Sequence, residues 1–367
     1  MAYPLTALLA LYVAALLPLA CAPQRTPTHE RATTPPLDSG FYRGFTFAHE
    51  AYDGQRGYGG PTVYASLDSL LRLGTDAVAI VPYTWLRDPG TPRDFPVAER
   101  VGTERDEAVI HAVHAAHERG MRVLLKPQIW VGGGHWPGDI GFDAAADWAA
   151  FFEDYRAWLL HYAELAEAQG VDALCIGTEL GQVTLRHPGF WRKLIAEVRG
   201  VYGGKLTYAA NWGEEFEGIT FWDALDVVGC NGYYPLSQNP DATDEELYAG
   251  AKAWLVRANN VAAAAGRPLW LTEIGYRSVE QAWRNPHAAA DGRAPSQSCQ
   301  RRCFAALFAA TAEAPTLEGM FIWKWPSYLG HGFTPDAQPD RGEGPVGFAP
   351  GGKEAAAVVA AYYRGAP

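Results

Sequence analysis

A rhythm along the chain constrains its fold more than any single motif. From residue 41 onward, short β-rich runs alternate with longer stretches of helical periodicity, and eight such runs can be counted: YRGFTFA at 42–48, AVAIVPY at 77–83, RVLLKPQIWV at 122–131, ALCIGTE at 173–179, LTYAANW at 206–212, DVVGCNGY at 226–233, PLWLTEIG at 268–275 and GMFIWKW at 319–325. Strands separated by helices are the signature of βα units around a parallel sheet. The stretches between them read as helices. Phe151, Phe152, Tyr155, Trp158, Leu159 and Tyr162 recur at helical spacing and are closed by Gly170, and Pro188 stands where a first-turn proline belongs. Eight strand-and-helix units predict an α/β chain forming a single (β/α)8 TIM barrel over 41–367, rather than two doubly wound domains.

With 367 residues, 48% of them hydrophobic and 19% charged, the chain can bury a core of that size, and disorder is excluded as its overall state. The formal net charge of −11 argues against a nucleic-acid partner, which calls for a basic face. The chain carries 13 Trp and 18 Tyr. Most belong to the core, but flat aromatic rings with a polar handle also suit a site that stacks on sugar rings.

The front of the chain reads differently. Residues 1–21 are apolar over the length of a signal-peptide core and end in Pro18, Leu19, Ala20 and Cys21, which resembles a bacterial lipoprotein cleavage site. Leu17 sits one position early for that pattern and no Lys or Arg precedes the apolar run, so plain secretion and a retained anchor stay open beside lipidation of Cys21. Residues 22–40, rich in Pro and Thr, read as an extended tether. The expectation is an exported protein, membrane-bound only through Cys21 or else periplasmic or extracellular. Cys175 and Cys230 read as buried apolar residues, and Cys299 and Cys303 as free thiols or a local disulfide rather than metal ligands.

In a barrel of this kind the chemistry sits at the C-terminal ends of the strands. Two runs end alike: CIGTELGQ places Thr178 and Glu179 at the end of the fourth strand, and LWLTEIGY places Thr272 and Glu273 at the end of the seventh. An unpaired carboxylate at the end of a core strand is costly, so a pair of them facing one mouth points to use. Other ends add polar and aromatic groups: Lys126, Trp130, His135 and Trp136 after the third, Asn211 and Trp212 after the fifth, Tyr233 after the sixth, Trp323 and Trp325 at the eighth. The set reads as a sugar groove, with Trp85 another candidate for its subsites. Two carboxyl groups across such a groove serve glycoside hydrolysis, one protonating the leaving oxygen while the other attacks the anomeric carbon or activates water. A separation of about 5–5.5 Å retains configuration and one of about 6.5–9.5 Å inverts it.

IGTEL, LTEIGY, LLKP and IWKW together resemble glycoside hydrolase family 113, the β-mannanases of clan A, over roughly residues 41–363. The resemblance implies a retaining hydrolase of β-1,4-mannan or manno-oligosaccharides, with Glu179 as acid/base and Glu273 as nucleophile. Thr178 takes the place where most of the clan carries an Asn that holds the sugar 2-hydroxyl, as is similar to the family 113 branch. Tyr233 would orient the nucleophile, although Tyr234 could claim that role, and Trp323 or Trp325 would lie under the sugar at the cleavage point.

Simpler readings stand beside these. Lys126 could pair with a buried acid, and Asn211 could be a turn residue. The loop around His135 lacks phosphate-loop spacing and reads as a sugar-contacting segment. His111, His114 and His117 read as part of a solvated outer helix. The runner-up functions are a clan A hydrolase of another β-glycan, glucan or xylan, and a non-catalytic carbohydrate-binding barrel. No metal or organic cofactor is called for, a monomer is expected, and the long segment after Glu273 is expected to line the site.

Overall fold

The computed structural model describes residues 40–48, 57–91, 105–327 and 344–365. The expected export signal with Cys21 and the expected tether up to residue 39 lie outside the described residues. The elements are β1 (Tyr42–Ala48), α1 (Thr62–Leu71), β2 (Ala77–Ile80), β3 (Tyr83–Leu86), α2 (Asp106–His117), β4 (Arg122–Leu125), β5 (Gln128–Val131), α3 (Ala145–Ala168), β6 (Ala173–Thr178), α4 (Gly181–Arg186), α5 (Pro188–Arg199), β7 (Lys205–Asn211), α6 (Glu214–Gly218), β8 (Val227–Asn231), α7 (Asp244–Ala265), β9 (Leu269–Ile274), α8 (Gln297–Ala310), β10 (Leu317–Pro326) and α9 (Glu354–Tyr363).

Eight of the strands close into one parallel barrel, in the order β1-β2-β4-β6-β7-β8-β9-β10 with β10 returning to β1. The predicted (β/α)8 barrel is therefore the observed fold. Its interior is filled by side chains rather than left open: Tyr42, Ala79, Leu124, Cys175, Ala209, Trp270 and Phe321 belong to one buried cluster, with Tyr42 and Trp270 ring centroids 4.3 Å apart. A second, larger apolar layer lies between the strands and the helices. Fully burying each large apolar side chain there contributes roughly 1.5–3 kcal/mol.

Two of the eight runs proved to be two strands each. The run at 77–83 breaks after Ile80 and that at 122–131 after Leu125, and the chain resumes as β3 and β5, which pair with each other in a small parallel sheet beyond the barrel. Pro82 and Pro127 stand at the two breaks. Proline has no N–H to give to a ladder, so each marks the point where the barrel pairing stops. The continuation is held by Lys126 N–H to the Ile80 carbonyl and Gln128 N–H to the Pro82 carbonyl.

Cys175, Cys230, Cys299 and Cys303 are all free, so the local bridge left open by the sequence is not made. Cys299 and Cys303 are four apart on α8, where Cβ atoms stand about 5–6 Å apart, beyond the roughly 3.5–4.5 Å a disulfide needs. His111, His114 and His117 bond separately, to Tyr58 and Tyr64, to Gln169 and to Asp172. The segment after β9 folds back on the loops that follow β7 and β8: the Leu236 N–H donates to the Trp283 carbonyl, and the His287 ring lies 5.8 Å from that of Trp212. Among the described residues no helix is long and apolar enough to cross a membrane.

Candidate active site

The strands that carry the site share an irregularity. Between Cys175 and Thr178, β6 spends three residues against two on β7; at Thr272, β9 spends two against one on β8; and between Ile322 and Trp325, β10 spends three against two on β1. One extra residue turns every later side chain to the other face, which is how bulges re-aim groups beside active sites. Gly275 allows the crowding that follows β9, since a Cβ there would meet the Trp323 carbonyl oxygen at 2.4 Å.

Glu273 is buried, 6% exposed, and three donors converge on it. The Lys126 ammonium lies 2.5 Å from Oε1 and Gln128 Nε2 3.2 Å from the same oxygen, while the Tyr233 hydroxyl donates to Oε2 at 2.9 Å. Burial and the charge of Glu273 push the Tyr233 phenol well above its ordinary range, so it stays a donor. Tyr234 does not compete for this place: its hydroxyl accepts from Gly213 N–H and its ring stacks on Trp254 at 5.2 Å.

Glu179 follows β6 with φ of 52°, in the left-handed region that a non-glycine residue enters at a cost of about 1–3 kcal/mol. Its N–H donates to the Ala209 carbonyl. Trp136 Nε1 donates to its Oε2 at 2.6 Å and Asn231 Nδ2 to its Oε1 at 2.8 Å. The two carboxylates are knit together by Asn231, which is paired in register with Glu273 and accepts at Oδ1 from the Thr272 hydroxyl, 2.9 Å away. Burial, and then the negative charge of Glu273, raise the Glu179 carboxyl above its ordinary value, against the pull of Asn231, Trp136 and Lys126.

The structure thus gathers Glu179, Glu273, Lys126, Trp136 and Tyr233 into one constellation. Two expectations are corrected. Lys126 is fully buried with its ammonium on Glu273, so of its two readings the pairing with a buried acid holds and the contact with a sugar does not. Trp325 is 3% exposed, packs edge-on against Phe45 and donates from Nε1 to the Ser66 hydroxyl. The bulge before it turns it onto α1, and Trp323 is the half-exposed member of that pair.

Thr178 is half-buried, 4.0 Å from Cys175 Sγ. Asn211 gives its main-chain N–H to Glu215, and Trp212 tilts against Tyr234 at 5.1 Å. His135 is exposed, 3.9 Å from Asp139 on the loop that delivers Trp136, and Trp130 is exposed on β5.

Sequence reasoning missed Gln128, Asn231 and Glu215. Gln128 had a signal: it stands two residues beyond Lys126 in a run of alternating side chains. Asn231 had another, as an amide inside the apolar run VVGCN. Nothing marked Glu215, one of several acids in GEEFEG.

The sequence model of glycoside hydrolase family 113 matches residues 45–341. No curated protein matches the chain. Among solved structures, the family 113 β-mannanase of Alicyclobacillus acidocaldarius in complex with ManMIm is 29% identical, with a TM-score of 0.76 over 89% of this chain and 98% of its own. A complex of a family 113 β-1,4-mannanase is 26% identical with a TM-score of 0.76, over 88% and 98%. A family 5 mannosidase from Rhizomucor miehei, 11% identical with a TM-score of 0.59, shares the fold. With the family match spanning most of the barrel, this chain is a glycosidase and belongs to glycoside hydrolase family 113.

Proposed function

We propose that this glycosidase cleaves β-1,4-linked mannan or manno-oligosaccharides with retention of configuration, Glu273 acting as nucleophile and Glu179 as acid/base. The observation that carries the reading is the unlike surroundings of two like side chains. Glu273 receives an ammonium, an amide and a phenol, all donors that a carboxylate accepts. Glu179 is pushed toward its protonated form by burial and by the charge of Glu273. Environments that drive two carboxyl groups apart assign the acid and the nucleophile.

In the first step a Glu273 oxygen bonds to the anomeric carbon while the bond to the leaving oxygen breaks and Glu179 gives that oxygen its proton. The resulting ester carries no charge, so the repulsion that held the proton on Glu179 is gone. Glu179 then takes a proton from water as the water oxygen attacks the anomeric carbon and Glu273 departs as a carboxylate. Tyr233 is placed to turn the nucleophile.

Two features support a β-linked mannan chain. By resemblance Thr178 takes the place of the clan's Asn that holds the sugar 2-hydroxyl, the group at which mannose differs from glucose, and two solved family members are described as β-mannanases. An aromatic ladder leads away from the centre: Tyr83 pairs with Gln128 and Trp85 with Trp130 on the open face of β3 and β5. Gln128 touches Glu273, and the indoles lie two residues, roughly 6.6 Å, further out. The test is reducing-sugar release from mannan, glucomannan, xylan and barley glucan, with the first product anomer followed by proton NMR. Release from the mannans with β-anomer first is expected; inactivity on every mannan, or α-anomer first, overturns the reading.

A further inference from the structure

Behind Glu179 lies a third carboxyl group that the reaction does not use. Glu215, on the short helix α6 after Gly213 (φ 86°), is 4% exposed, and no cation pairs with it among the described residues. Its partners are all donors from the walls of the catalytic turn. The Tyr208 hydroxyl donates to Oε1 at 2.6 Å, the Thr184 hydroxyl to Oε1 at 3.0 Å, and the Asn211 N–H to Oε2 at 2.7 Å. The Tyr208 hydroxyl in turn accepts the N–H of Leu180 at 2.7 Å, the residue directly after Glu179. Gly181 is bracketed by the same groups, since a Cβ there would lie 4.0 Å from the Glu215 carboxyl carbon and 3.9 Å from the Trp136 ring.

We propose that Glu215 is a positioning residue for Glu179. Through Tyr208 it fixes the Leu180 N–H, and so holds the left-handed turn that carries the Glu179 carboxyl to Trp136 and Asn231. A strained backbone persists only where its surroundings over-determine it, and this relay supplies one of two bonds to consecutive N–H groups, the other being Glu179 N–H to Ala209. Through the Asn211 N–H the same carboxyl fixes the end of β7, whose Asn211 is in register with Asn231, the second holder of Glu179. Burying a carboxyl is costly unless it is hydrogen-bonded, and two of the three bonds Glu215 makes, to Tyr208 and to Asn211, lead to the groups that hold Glu179.

The inference rests on the reading of Glu179 as the acid, and the leaving group separates the two. A dinitrophenyl leaving group needs no proton, whereas a sugar does. The variants are Glu215→Gln and Tyr208→Phe, the second cutting the relay while leaving the carboxyl in place. Both are expected to lower kcat/KM on mannan on the order of 10²-fold, and on a dinitrophenyl β-manno-oligoside by no more than about 3-fold, since general-acid help is what has been lost. Equal losses on both substrates, in either folded variant, overturn the positioning role and leave Glu215 a structural acid. Glu179→Ala is the control. If it too loses equally on both substrates, it is the assignment of Glu179 that fails.

Discussion

The Lys126 ammonium and the Glu273 carboxylate meet at 2.5 Å with the lysine wholly buried, so the charge of Glu273 is balanced from inside the barrel rather than by solvent. Removing one partner of such a pair leaves an uncompensated buried charge, at about 3–5 kcal/mol. Lys126→Met is expected to lose stability on that scale in urea denaturation, and to lose turnover with it. The double variant Lys126→Met with Glu273→Gln should recover part of the stability. If the two losses simply add, the pair is not coupled as described.

Glu179 provides a pH prediction whose sign follows from its causes. Its carboxyl is raised first by burial and second by the negative charge of Glu273. With Glu179 as the acid proposed above, activity needs the protonated form, so the raised value extends the working range upward and the alkaline limb of kcat/KM is expected to report it. Glu273→Gln removes the second cause and should lower the Glu179 titration, read from the carbon resonance of labelled glutamate. An unchanged or raised titration in that variant would mean the two side chains do not sense each other.

Glu215 makes folding itself pH-dependent. Its carboxyl is pushed from an ordinary 4.5 up to about 7, chiefly by burial, against the donors Tyr208, Asn211 and Thr184. A carboxyl raised on folding keeps its proton after the unfolded chain has lost it, so the folded chain binds more protons between those values and stability falls as pH rises across them. At about 1.4 kcal/mol per unit, the loss comes to roughly 3 kcal/mol. Glu215→Gln lacks this loss, so the stability of the native chain relative to the variant should decline by that amount between acid and neutral pH. A difference that stays constant with pH would sink it.

The barrel and its two carboxylates were legible because both follow from repetition: eight apolar runs at crossover spacing, and two of them ending in Thr-Glu. What stayed hidden depends on single-residue departures from alternation. Trp323 and Trp325, two apart, belong to one face of a regular strand, but the extra residue in β10 sends Trp325 into the core. The same device in β9 gives Thr272 to Asn231 rather than to the groove. Lys126 offered two readings to the sequence, and only the closed ring, which sets β4 across from β9, brings it onto Glu273. Glu215 could not be singled out from its acidic neighbours, since its importance comes from Tyr208 and Leu180, each on a different segment.

The ladder on β3 and β5 leads to a prediction about substrate length. Trp85 and Trp130 are 51% and 60% exposed, are paired across the two strands, and share their face with Gln128, which touches Glu273. The Tyr83 and Trp130 rings meet edge-on with centroids 6.3 Å apart. Rings held open this way can stack on a sugar beyond the proposed cleavage point, presenting a large flat apolar face to it. Trp130→Ala and Trp85→Ala should therefore raise KM about 3- to 10-fold on long manno-oligosaccharides, with kcat little changed. The shortest oligosaccharide that is still cleaved should be affected least, because it leaves the outer platform empty. A loss independent of chain length would show that the indoles shape the centre itself rather than a site one sugar away.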